Sequence, residues 1–134
     1  MIIKNITKKV MVGKNAKACK SIFSKAMGLM FSKKPKTLVF IFKKEKIIPL
    51  HMLFVFFPID ILFLDKDKEI VEIKESLKPF SFYTPKKKAM YIIELPEGAI
   101  KETKTGVGDR IGFQEKSDTA SHRLAQRKIQ KRIF

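Results

Sequence analysis

Asp60, Glu94 and His51 are the side chains of this sequence whose chemistry contrasts most with their surroundings. Asp60 interrupts the run PIDILFL at residues 58–64, and Glu94 interrupts YIIEL at residues 91–95. An ionised carboxylate inside an apolar run costs free energy unless it is hydrogen-bonded or paired. Two carboxylates converging in one pocket could divide acid and base work between them. His51 lies between Leu50 and Met52 and could serve the same site as a base or a ligand. These three are the catalytic candidates. The structural alternative is that backbone N–H groups satisfy each carboxylate, at the bend after Pro58 or at the Pro-Glu-Gly turn, or that a lysine pairs with it. On that reading His51 is a core or rim histidine with one hydrogen bond.

Other chemistries lack their residue sets. Asp65, Asp67 and Glu69 mimic the start of an EF-hand loop, but its glycine and its bidentate glutamate are absent, so a hairpin turn accounts for them. Gly106-Val107-Gly108-Asp109 lacks the Lys-Ser/Thr pair of a phosphate loop. No serine has an evident base partner for a nucleophilic triad. One cysteine, Cys19, and two histidines make neither a disulfide framework nor a tetrahedral zinc set. No metal or cofactor is implied, and the cysteine usage fits a reducing compartment.

The charge is strongly one-sided. Lysine and arginine number 29 against 13 acids, a net of +16. Residues 1–59 carry +12, residues 60–114 are neutral, and residues 115–134 carry +4. That asymmetry points to a polyanion or nucleic acid as a partner, met by Lys33, Lys34, Lys36, Lys43, Lys44 and Lys46 and by Arg123, Arg127 and Arg132 of the tail. Only four of the 29 bases are arginine, the residue that reads guanine edges and phosphates bidentately. A lysine-rich solvated surface is therefore the simpler account of most of this charge.

The elements that must position these residues follow from periodicity and punctuation. Residues 2–12, rich in Ile and Val, read as a first strand ended by Gly13. From Asn15, apolar residues at Ala18, Ile22, Ala26 and Met30 recur in steps of four and predict a short amphipathic helix, with Cys19 beside its stripe. Strands are expected at 37–42, 47–57 and 59–64, the second being apolar throughout and so buried on both faces. Asp65–Lys68 is a turn, and Glu69–Ile73 alternates as a half-buried strand. Residues 78–88 read as an ordered loop whose aromatics cover one end of the core. Ala89–Leu95 is a strand, Pro96 onward allows one or two helical turns, and 109–113 is a last strand. The tail, with a thin apolar stripe at Ala120, Leu124, Ile129 and Ile133, reads as a basic, flexible extension. The longest uncharged stretch, 47–59, is shorter than the roughly 20 residues of a spanning helix, and the N-terminus has no apolar signal region. The expectation is a soluble, cytoplasmic protein, monomeric or weakly oligomeric.

Four segments, in order, resemble the domain-of-unknown-function family 192. They are Gly28–Phe31 (GLMF), Pro58–Asp65 (PIDILFLD), Tyr91–Gly98 (YIIELPEG) and Gly106–Asp109 (GVGD). The resemblance covers roughly residues 1–113 and implies a small, single β-rich domain, similar to a compact barrel or sandwich with two short helices. It implies no activity. Where many members carry Trp-Met-Lys-Asn-Thr before the proline strand, this chain has His51, Met52, Leu53, Phe54 and Val55. Chemistry resting on those polar residues does not transfer, and the apolar replacements favour core or binding surface.

The sequence thus predicts a mainly β, antiparallel barrel or sandwich of six or seven strands over residues 1–114. Its expected role is a non-enzymatic binding module with a basic surface. The alternative is a small-ligand or hydrolytic site built on Asp60, Glu94 and His51.

Overall fold

The computed structural model describes residues 1–20 and 28–115. Five strands form the central sheet in the order β3 (Lys17–Cys19), β4 (Leu38–Lys46), β9 (Ala89–Pro96), β6 (Ile59–Leu64) and β7 (Ile70–Leu77). A second sheet places β1 (Ile2–Asn5) between β10 (Ile111–Gln114) and β2 (Val10–Gly13). A two-residue pair joins β5 (Leu50–His51) to β8 (Phe82–Tyr83), and α1 (Ala99–Thr103) follows β9.

The mainly β expectation holds, and the physical reason lies in β6. All six of its residues are buried, as befits a strand flanked on both sides and covered on both faces. Ile59, Ile61 and Phe63 enter one core with Phe40, Ile92, Met52 and Val55. Leu62 and Leu64 enter the other with Val39, Ile93, Leu95, Ile3, Ile100 and Ile111. The second core lies between the central sheet and the layer made by β1, β2, β10 and α1. The first is covered by the β5/β8 pair and the loops around it.

Several expectations are corrected. The central sheet stays open, with β3 and β7 at its edges, so no barrel closes. Ten strands are present among the described residues, where six or seven were expected. The expected first strand is a hairpin, because the Asn5 side chain accepts the Lys8 N–H at 3.0 Å and Lys9 turns through a φ of 56°. Residues 17–19 are not helical. The Lys17 N–H donates to the Thr37 carbonyl at 3.0 Å, and the segment runs parallel to β4, making the sheet mixed and not purely antiparallel. Residues 28–30, where that expected helix was to end at Met30, form a turn; residues 21–27 of it and the tail from residue 116 lie outside the described residues. The apolar run 47–57 contributes only Leu50–His51 to a strand. Pro49 has no N–H to donate, the Val55 N–H turns back to the Met52 carbonyl at 3.2 Å, and Phe54 adopts a φ of 56°.

Candidate functional site

Strand register decides where the two carboxylates go. Asp60 pairs with Leu95, and Ile61 pairs with Glu94. Asp60 therefore shares the face of Leu62 and Leu95, while Glu94 shares the face of Ile61 and Ile92. The central sheet separates them, and the three catalytic candidates do not assemble.

Asp60 is a structural acceptor. A bulge sets Ile59 opposite Leu77 but Ile61 opposite Lys74, which turns the Ser76 N–H onto Asp60 Oδ1 at 3.0 Å. Its Oδ2 accepts the N–H groups of Gly98 and Ile100 at 3.0 and 3.1 Å. Those are orphan donors at the start of α1, so one carboxylate ties β7, β6 and the helix together. Gly98, at a φ of 92°, makes the turn that presents its N–H.

Glu94 has a different environment. It lines a cavity of about 290 Å³ with Leu29, Phe40, Phe42, Leu50, Met52 and Ile92, among others. This lies at the low end of the roughly 300–1,000 Å³ typical of small-molecule sites. Only 9% of Glu94 is exposed, and no donor among the described residues reaches its carboxyl. Burial alone pushes it up to about 8, so at neutral pH it is mainly the neutral acid, able both to donate and to accept a hydrogen bond.

His51 lines the same cavity but is exposed. Its Nδ1 accepts the Leu53 N–H at 3.3 Å, which leaves Nε2 as the ring's other polar atom. The site thus brings His51 and Glu94 to one cavity and leaves Asp60 behind the sheet. No cluster of three metal-ligating side chains occurs among the described residues. The arrangement can hold an apolar body and hydrogen-bond one polar group; among the described residues the lining includes no serine, threonine or cysteine that could act as a nucleophile.

The six candidate lysines are all exposed, but they do not form one surface. Lys34 and Lys36 border a groove of about 630 Å³ with Lys14 and Lys17, where Glu97 and Glu102 offset part of their charge. Lys33 stands on the same loop. Lys43, Lys44 and Lys46 sit toward the other end of β4, with Lys46 over the Phe42 ring at 4.9 Å. Arg123, Arg127 and Arg132 lie outside the described residues.

Two features were missed from sequence. Asn5, fully buried, donates to Asp109 Oδ2 at 2.9 Å and to Thr105 Oγ1 at 3.2 Å. Lys8 Nζ meets the same carboxylate at 2.8 Å. Burial pulls the Asp109 carboxyl up, yet hydrogen bonds from Lys8, Asn5 and the Gly106 N–H, with the Lys8 charge, hold it below the usual carboxylate range. The second is the exposure of Phe80 and Phe82, which do not cover the core. Of that loop's aromatics only Tyr83 packs inward, and its hydroxyl donates to Glu72, which with burial and the Glu72 charge pushes it up to about 12.

The fold and the cavity define a small, mainly β domain of mixed-sheet architecture. Residues 3–113 match the model of the DUF192 family, described as "Uncharacterized ACR, COG1430", and the chain belongs to that family. It is similar to a UPF0127 protein of Pyrococcus furiosus, 37% identical over 109 residues that make 80% of this chain and 93% of the relative. A UPF0127 protein of Thermococcus sibiricus is 34% identical over 124 residues, 90% of this chain and 79% of that one. A crystal structure of a protein of unknown function from Novosphingobium aromaticivorans has the same fold, with a TM-score of 0.74 at 15% identity, covering 84% of this chain and 82% of the other. No helix among the described residues is long and apolar enough to cross a membrane.

Proposed function

We propose that the domain is a non-enzymatic binding module that takes a small, largely apolar ligand into the cavity beneath β5, with Glu94 holding the ligand's polar head. The observation that carries this reading is a carboxyl that meets no donor among the described residues and faces a largely apolar cavity. No side-chain oxygen among the described residues is both sealed from solvent and unpaired, so the Glu94 carboxyl opens onto the cavity, where a ligand can supply its hydrogen-bond partner. Because Glu94 is mainly protonated at neutral pH, the matching head both accepts and donates, as a primary amide or an alcohol does. A bound ammonium would first have to ionise Glu94, in a protein whose net charge of +16 repels cations. His51, exposed and in the same lining, offers its Nε2 to a second polar group of the ligand. The basic surface acts as a field and not as a single site.

Hexanamide is a suitable probe. Titration of the full chain should shift the backbone amide NMR signals of Ile92–Leu95 and Phe40–Phe42, with millimolar affinity that weakens as the pH passes 8. Glu94→Leu should abolish the binding while leaving the fold intact. Unchanged affinity in Glu94→Leu, or shifts confined to other strands, would overturn the reading.

A further inference from the structure

The loops that close the cavity carry a second feature on their outer side, independent of what the cavity holds. Phe31, Phe54 and Phe80 have φ values of 62°, 56° and 58°. This left-handed region disfavours L residues, with glycine and, in part, asparagine excepted. Main-chain hydrogen bonds hold the three turns together. The Phe31 N–H donates to the Phe54 carbonyl at 2.9 Å, and the Phe80 N–H donates to the Met52 carbonyl at 2.8 Å. Phe31 stacks on Phe54 with centroids 4.8 Å apart, and Phe80 meets Phe54 at 6.0 Å and Phe56 at 5.5 Å.

The rings remain in solvent. Phe31 and Phe56 are each 60% exposed, Phe80 50%, Phe54 44% and Phe82 70%. Three strained backbones thus present rings that the core does not use. Strain of this kind gathers at functional positions, and a contiguous apolar patch marks an interaction surface.

We propose that this patch docks the protein on an anionic lipid surface, with the phenyl rings entering the headgroup–acyl boundary and the flanking lysines meeting the lipid phosphates. Charge selects this partner. The segments 28–36, 52–58 and 78–88 that carry the patch hold no Asp or Glu, and besides Lys34 and Lys36, which border the groove shared with Glu97 and Glu102, they hold five exposed lysines, Lys33, Lys78, Lys86, Lys87 and Lys88. Each lysine near an anionic bilayer strengthens binding about fivefold. A second copy of this chain would set like charges against each other. Base stacking on single-stranded nucleic acid needs open ring faces, and Phe31 and Phe54 have each given one face to the other. A bilayer needs no directional partner, only apolar depth beneath a negative surface.

The test is co-sedimentation of the full chain with phosphatidylcholine vesicles, with and without 30% phosphatidylglycerol. The wild type should bind the phosphatidylglycerol vesicles at least tenfold more tightly than the neutral ones, and high salt should weaken the binding. The triple variant Phe31→Asn, Phe54→Asn, Phe80→Asn keeps residues that tolerate the left-handed backbone, so its circular dichroism should match the wild type while vesicle binding falls tenfold or more. Phe56→Ser with Phe82→Ser, at positions without positive φ, should weaken binding likewise and serves if the triple variant misfolds. Wild-type binding in folded variants, no preference for the anionic vesicles, or loss of a dimer or of oligonucleotide binding in place of lipid binding would each overturn the proposal.

Discussion

Replacing Glu94 with glutamine removes a titratable group whose folded and unfolded environments differ sharply, at almost constant volume. Burial raises the carboxyl from 4.5 to about 8 in the folded protein. Between those values the folded state holds the proton and the unfolded state does not, so folding takes up a proton. Stability must then fall as the pH rises through this window and level off above it. From 4.5 to pH 7 the difference is about 2.5 pH units, or about 3 kcal/mol at 1.36 kcal/mol per unit. Urea denaturation of the wild type should lose most of that amount between pH 5 and pH 7, whereas Glu94→Gln should lose far less. At pH 7 the variant should be the more stable protein, by an amount approaching 3 kcal/mol. That gain corresponds to a rise in Tm of roughly 10 °C for a domain of this size. If the two stability profiles run parallel from pH 5 to pH 8, Glu94 is already partnered or hydrated in the folded state, and the argument from an unpartnered carboxyl fails.

Three further outcomes follow from the same structure. Asp60→Ala strands the N–H groups of Ser76, Gly98 and Ile100 and should cost about 3 kcal/mol or more in chemical denaturation, with amide exchange accelerating first in α1 and at Ser76; a loss below about 1 kcal/mol would contradict the tie between the bulge and the helix. The Asp109 carboxyl, held low by Lys8, Asn5 and the Gly106 N–H, contributes stability above its unfolded value and loses it as the pH falls below about 4. Asn5→Ala should therefore cost about 1–3 kcal/mol at neutral pH and less in acid, read from melting curves at pH 7 and pH 3. At Phe54, asparagine should leave a more stable protein than alanine by about 1 kcal/mol, although it is the more polar residue, because it tolerates the left-handed backbone better; the reverse order would show that the backbone strain at this turn is negligible.

Some of the fold could be read locally and some could not. The turn at Asp65–Lys68 was legible because the Asp65 side chain does what turn aspartates do, accepting the N–H groups of Asp67 and Glu69. The long apolar run before Pro58 misled because a continuous apolar segment has no period to show which face it presents. Only Met52 and Val55 between Leu50 and Pro58 are buried, and Leu53, Phe54 and Phe56 face solvent. Lys17–Cys19 misled for the opposite reason. Its four-residue spacing suits a helix, but a parallel partner in β4 offered its backbone a ladder that no local signal announces.

What the residue order settles by itself is which segments must be interior: β6 and β9 are apolar along most of their length, and no single-layer exposure could solvate them. The tertiary structure alone decides which of their polar residues meet. Asp60 and Glu94 look equivalent along the chain, each one carboxylate in an apolar strand. The pairing of Asp60 with Leu95 and of Ile61 with Glu94 sends them to opposite faces, because side chains on a strand alternate and a shift of one residue would exchange those faces. That register makes one carboxylate a tie for backbone donors and leaves the other as the one acid among the described residues that line a largely apolar cavity.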